Sequence, residues 1–355
     1  MELLDRITEL SHEFGTLDYV LAGGGNTSVK TDTTLWVKPS GTTLATLKPS
    51  DFVAIDRSKL GKLYAMTPPS GASARETLVK EMMEQAVLPE TPGRASVEAP
   101  LHDSLTARYV VHTHPALVNG MTCGKDGRLA CQTLFPQALW LDYIDPGYTL
   151  CMEVRRQIQH YKASNGGEPS LIFLKNHGVF IAADEPDAIR RLYKEVMTTL
   201  GQFYAERKVS CQLVVGPLPE AEIAASAKDK IRRAASEPNL CLSLGGAFAL
   251  PTGPVTPDHI VYAKSYYLTE EPTAAVIERF RKKHHYLPHI IAFDQMVFGV
   301  GPTQKKAELA LELAMDGALV IQLAAAFGGI DYMTDRAREF IENWEVESYR
   351  SKQVS

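Results

Sequence analysis

In Tyr109-Val110-Val111-His112-Thr113-His114-Pro115, two imidazoles stand two residues apart on a run whose apolar flank reads as a buried strand. Side chains at i and i+2 of a strand point to one face, so His112 and His114 can close on a single ion. Histidine is the commonest metal ligand, and a catalytic zinc site takes three protein ligands plus an open position. A third imidazole is available at His177, in Asn176-His177-Gly178, where an apolar run breaks and glycine permits close approach. A carboxylate lies upstream: Glu98, in Ser96-Val97-Glu98-Ala99-Pro100-Leu101-His102, suited to serve as ligand or general base. Each segment also has a purely structural account. The strand histidines can be packed and bonded to backbone, His177 can be a turn residue, and Ser96 with Glu98 can begin a helix.

Positioning these groups requires a scaffold, and its elements are legible in outline. Leu3, Leu4, Ile7, Leu10 and Phe14 recur at helical spacing. A glycine-rich stretch from Ala22 to Lys30 leads into a strand at Leu35-Trp36-Val37, and Pro39-Ser40-Gly41 makes a turn. Ser73 is the expected cap of a helix reaching Val87. After the histidine strand come a short helix, a strand from Leu139 to Ile144 and a helix from Thr149 to Tyr161. The apolar run Leu171 to Leu174 resumes as Val179 to Ile181, and a helix follows from Pro186 to Arg207. Composition breaks near Val214 to Pro219, dividing the chain into 1–214 and 215–355. In the second part, strands are expected at His259 to Ala263 and His289 to Phe293. A helix from Thr273 to His284 lies between them, and an Ala/Leu-rich helix runs from Lys305 to Ala325. That order suggests a small α/β domain. The tail from Arg336 to Tyr349 reads as a charged helix carrying Trp344.

Bulk properties narrow the functional classes. A chain of 355 residues, 45% hydrophobic and 22% charged, is expected to form two globular domains. Its net charge of −5 argues against a nucleic-acid partner. No apolar run is expected to span a bilayer, and the acidic, amphipathic start is unlike a signal peptide. Cys123, Cys131, Cys151, Cys211 and Cys241 are odd in number and lack Cys-x-x-Cys spacing, which suits reduced thiols in the cytoplasm.

Five segments in order resemble the class II aldolase/adducin family: Gly24-Gly25-Asn26-Thr27-Ser28, Lys38-Pro39-Ser40-Gly41-Thr42, Ser96-Val97-Glu98, His112-Thr113-His114-Pro115 and Lys175-Asn176-His177-Gly178. The resemblance covers roughly residues 1–210, a single-domain length. Within the family the wording is most similar to the aldolase part of the bifunctional rhamnulose-1-phosphate aldolase/short-chain dehydrogenases. Thr256-Pro257-Asp258-His259 and Trp344 to Arg350 extend that likeness beyond residue 215. The cofactor turn Gly-x-x-x-Gly-x-Gly of the dehydrogenase part is not found in this sequence, so no NAD chemistry is expected.

The resemblance implies an α/β (α+β) catalytic domain with a central antiparallel sheet between helices, followed here by the smaller α/β domain. It implies that His112, His114 and His177 hold zinc or another divalent ion such as manganese, with Glu98 as acid/base. Asn26, Ser40, Gly41 and Ser96 would cradle the phosphate of a sugar-phosphate substrate. Val97 stands where related aldolases often carry a second hydroxyl residue, and Glu98 where related epimerases carry aspartate, which favours aldol cleavage. A proton-donating tyrosine is expected, with Tyr143 and Tyr148 as candidates. The family also implies a homo-oligomer, commonly a tetramer. Epimerases, decarboxylases, dehydratases and the non-catalytic adducin-like modules are the alternatives within it.

Overall fold

The computed structural model describes residues 2–89, 91 and 93–344. In chain order the elements begin with α1 (Glu2–Glu13), β1 (Asn26–Lys30), β2 (Thr34–Val37), β3 (Val53–Asp56), α2 (Arg57–Ala65), α3 (Ala72–Ala86), α4 (Ala99–Ser104) and β4 (Tyr109–Thr113). They continue with α5 (Ala116–Thr122), α6 (Gly127–Leu134), β5 (Leu139–Leu141), α7 (Tyr148–Asn165), β6 (Leu171–Leu174), β7 (Gly178–Ala183) and α8 (Pro186–Glu206). Then come α9 (Ala221–Ala235), β8 (Cys241–Gly246), α10 (Pro257–Tyr262), α11 (Ala274–His284), β9 (Ile290–Phe293), β10 (Met296–Gly301), α12 (Gln304–Ala324) and α13 (Asp335–Asn343). Two compact units result. Residues 2–118 and 128–200 form the first, while 119–127 and 201–344 group into the second.

The first unit is built on a seven-stranded sheet in the order β3-β2-β1-β4-β7-β6-β5. The expected antiparallel sheet is present except at one edge, where β5 pairs parallel to β6. The 18-residue helix α7 makes that crossover possible, since parallel neighbours need a long connection. Period-two alternation gives the sheet two different faces. Val110, Phe180, Ala182 and Ile172 join Leu101, Leu105, Val154 and Ile158 in a core beneath α4 and α7. On the other face, Ser11 of α1 shares a hydrogen bond with Thr27, and Thr113 shares one with Tyr193 of α8.

The second unit centres on a three-stranded sheet, β8-β10-β9, all antiparallel. Two of its strands, β8 and β10, carry glycines that weaken the strand signal in sequence. These glycines serve packing: a Cβ on Gly299 would run into Ala307 O and lie 2.8 Å from Leu311 Cβ. The segment Gly299 to Thr303 is therefore a strand end passing close beneath α12. Counter to expectation, Gln304–Phe327 is long and apolar enough to cross a membrane by length and composition. Its Ala307, Ala310, Leu313, Ala314 and Val320 are buried, as in a core helix.

The expected strand from His259 to Ala263 is instead helix α10, because Thr256 and Pro257 supply a helix start. There His259 Nδ1 meets Thr256 Oγ1 at 2.7 Å and its Nε2 lies 3.1 Å from Asp316 Oδ2, tying α10 to α12. His285 is exposed, whereas His284 packs against Tyr266 and Phe280. His289 donates to Tyr262 O, and burial pushes its pKa down to about 4. The charged helix ends at Asn343, and the remainder of its expected span, 345–349, lies outside the described residues. None of the five cysteines is in a disulfide.

Candidate active site

Strand register sets out the floor of the site. Asn26 on β1 sits opposite His112 on β4, which sits opposite Phe180 on β7. One row across three adjacent strands thus carries an amide, an imidazole and an aromatic ring on the same face. The Phe180 ring stacks on His112 at 3.8 Å between centroids, with 9° between planes. His112 is fully buried, and its Nδ1–H donates to Val179 O at 2.9 Å. Burial holds its pKa well below the ordinary histidine range, with His114 and His177 pushing the same way. The ring is therefore neutral, with its Nε2 on the side of His114 and Glu98.

The other two imidazoles arrive from strand ends. His114 follows β4, its backbone N–H bonded to Tyr19 O. His177 sits in the β6–β7 turn, where Asn176 takes a positive φ of 53° and His177 N–H returns to Leu174 O. Gly178 is needed there: a Cβ would collide with Thr113 O and lie 2.7 Å from His114 Cδ2. As a result the ligand nitrogens of His112, His114 and His177 lie within 4.8 Å of one another, and His114 Nε2 is 2.9 Å from His112 Nε2. With zinc–nitrogen bonds of about 2.0–2.1 Å, small ring movements let the three share one cation. A donor set of three imidazoles, one of them fixed by a backbone carbonyl, fits such an ion.

Glu98 completes the cluster. Its Oε1 lies 3.6 Å from Nε2 of both His112 and His177, while its Oε2 accepts from the Asn26 amide. Ser96 Oγ accepts from Glu98 N–H at 3.2 Å, fixing the turn that leads into α4. The second turn of that helix is held from β1. Ser28 Oγ bonds His102 Nδ1 at 2.8 Å, and buried Lys30 Nζ donates to the carbonyls of His102 and Leu105 at 2.5 and 2.6 Å. Asn26, Ser28 and Lys30 therefore use one face of a strand to hold one short helix.

The family model for the Class II Aldolase and Adducin N-terminal domain matches residues 5–203. The chain belongs to this family. A curated relative, the uncharacterized oxidoreductase YuxG of Bacillus subtilis (strain 168), is 24% identical over 273 residues. The match takes in 68% of this chain but spans only 38% of that protein's length. Among solved structures, the N-terminal class II aldolase domain of a conserved protein from Thermoplasma acidophilum is 25% identical, with a TM-score of 0.48. It covers 56% of this chain and 92% of that one. An L-fuculose-1-phosphate aldolase from Thermus thermophilus is 18% identical, with a TM-score of 0.36, covering 57% of this chain and 94% of that one.

In this class II aldolase-family chain, Ser40 and Gly41 occupy a turn joined to the segment before Glu98. Ser40 N–H donates to Arg94 O at 2.8 Å, Pro39 bridges to Ala95, and Gly41 adopts φ +82°. Ser40, Gly41 and Ser96 are thus brought near one another, with Asn26 on Glu98 itself. Tyr143 lies between β5 and α7, and Tyr148 is the buried first residue of α7. No described hydrogen bond links Tyr148 to the histidines. Sequence reasoning missed Ser28, Lys30, Val179 and Phe180. A usable signal was present for the first two: polar residues at Asn26, Ser28 and Lys30 alternate along a strand whose every residue is buried.

Proposed function

We propose that the chain is a metal-dependent aldolase that splits a ketose 1-phosphate, or a related sugar phosphate, into dihydroxyacetone phosphate and an aldehyde. The observation that carries this reading is the convergence of three imidazoles from separate elements, with the Glu98 carboxylate 3.6 Å from two of them. Members of the family are typically dependent on a divalent metal. Held by His112, His114 and His177, zinc or manganese would supply Lewis acidity toward the ketone and neighbouring hydroxyl oxygens of the substrate. Glu98 takes the hydroxyl proton whose departure starts C–C cleavage, its carboxylate oriented through Oε2 by Asn26. The hydroxyls of Ser40 and Ser96 and the backbone of the Gly41 turn suit a dianionic phosphate. Tyr143 or Tyr148 would return a proton to the enediolate fragment, completing dihydroxyacetone phosphate, while the aldehyde leaves as formed. The working form would be a cytoplasmic homo-oligomer, a tetramer by family resemblance.

The test is a panel of ketose 1-phosphates with metal-reconstituted protein, read by a coupled assay for dihydroxyacetone phosphate. Product formation that stops on chelation is expected, and full turnover in excess chelator would overturn the proposal. Epimerase, decarboxylase and dehydratase readings separate on products, because only aldol cleavage yields two carbonyl fragments with no loss of carbon dioxide. An adducin-like interaction module would be expected to purify without metal.

A further inference from the structure

We propose that the first unit carries a second small-molecule site, for a hydroxylated anion bearing a phosphate or carboxylate, in the cavity between α2, the β1–β2 turn and the C-terminal turn of α4. The cavity is about 700 Å³, and Arg57, Ser58, Gly61, Tyr64, Asp103 and Arg155 are among its lining residues. That volume is ordinary for a small-ligand pocket.

The charges around it are unequally engaged. Asp103 is satisfied on both oxygens, Oδ1 by Arg57 Nε at 2.5 Å and Oδ2 by the Tyr64 hydroxyl at 2.9 Å. Asp56 Oδ1 accepts from Ser58 N–H and Ser58 Oγ. Arg57 is anchored further by donating to Thr31 O at 2.7 Å. Asp32 sits at the exposed rim.

Arg155 is different. Its guanidinium lies 3.6 Å above the Tyr64 ring and donates to Ser104 Oγ at 3.3 Å, with no carboxylate among the described residues within ion-pair distance. A guanidinium has five N–H donors in a planar fork matched to carboxylate and phosphate oxygens. Held against an aromatic face, it is placed before a ligand arrives, which lowers the ordering cost of binding. Ser58, Thr33 and Thr34 supply hydroxyls for the rest of such a ligand. Asp103 and Ser104 close the helix whose N-cap is Glu98, so an occupant would touch the opposite end of the element that carries the carboxylate.

The experiment is calorimetric titration of the whole metal-loaded chain with glycerol 3-phosphate and, separately, glycerate. Two variants are compared with the wild type. Arg155→Ala removes the fork. Gly61→Leu adds bulk to the cavity lining at a helical position where a Cβ meets nothing within 4 Å. It also replaces glycine with a better helix former, and its melting temperature should not fall. At least one probe is expected to show a binding component weakened tenfold or more in both variants. The probe that does so identifies phosphate or carboxylate as the preferred group. Isotherms unchanged by both substitutions, or no binding of either probe, would overturn the proposal.

Discussion

Gly178 governs how near His114 comes to the β6–β7 turn, because any side chain there meets Thr113 O and His114 Cδ2. Gly178→Ala is expected to cost about 1–3 kcal/mol through forced backbone shifts. Metal content should fall with it, as read by denaturant unfolding and elemental analysis of the purified variant. Glu98→Gln leaves an acceptor for the Asn26 amide but no base. Turnover should drop by roughly 10²–10⁴-fold while bound metal is retained; undiminished turnover would remove Glu98 from the chemistry. The convergence of His112, His114, His177 and Glu98 was readable from sequence because imidazole and carboxylate are few and their chemistry restrictive. Phe180 was not, since a phenylalanine stacked on a ligand has the same sequence signature as one filling a core. The Asn26 amide, expected at the substrate phosphate, donates to Glu98.

At the level of elements, α4 has six residues and could not persist alone. It stands because β1 reaches it through Asn26, Ser28 and Lys30. Lys30→Met strands two buried carbonyls, and a loss on the order of 3 kcal/mol is expected in urea unfolding. His102, on the same helix, is pushed well below the ordinary histidine pKa by burial, with Lys30 and Lys38 adding to it. The folded ring thus stays neutral where an unfolded one takes a proton. Its contribution to stability is full above about pH 6.5 and declines as pH falls below that, by up to about 1.4 kcal/mol per pH unit. Melting temperatures taken from pH 7.5 down to 5.5 should show the decline, and His102→Gln should flatten it by that one site's share. A steeper slope in the variant would contradict the assignment. Long amphipathic helices such as α1 and α8 were legible from periodicity. The α10 helix was not, because its Ile-Val-Tyr content outweighed the Thr256-Pro257 start, and β8 and β10 were masked by glycines that packing requires.

For the whole molecule, the relevant feature is segment 119–127, which belongs to the second unit although it lies far upstream in sequence. A Cβ on Gly120 would lie 2.5 Å from Leu323 Cβ, Asp126 N–H donates to Phe327 O, and Asp331 N–H donates to Cys123 O. The composition break at 214–219 gave no hint of this, since chain continuity in sequence need not match contact in space. A fragment comprising 215–355 lacks both 119–127 and the aromatic pair Phe203 and Tyr204 that packs on Phe327. It is expected to show no cooperative thermal transition by circular dichroism, and a sharp one would refute this account.

The same interleaving bears on synthesis. Asp126 leaves the ribosome about 200 residues before Phe327, an interval of roughly 10–40 s at 5–20 residues per second. Until then the nascent strip around Gly120 has Tyr204 within reach but lacks Leu323 and Phe327, so yield should respond to chaperone supply during synthesis.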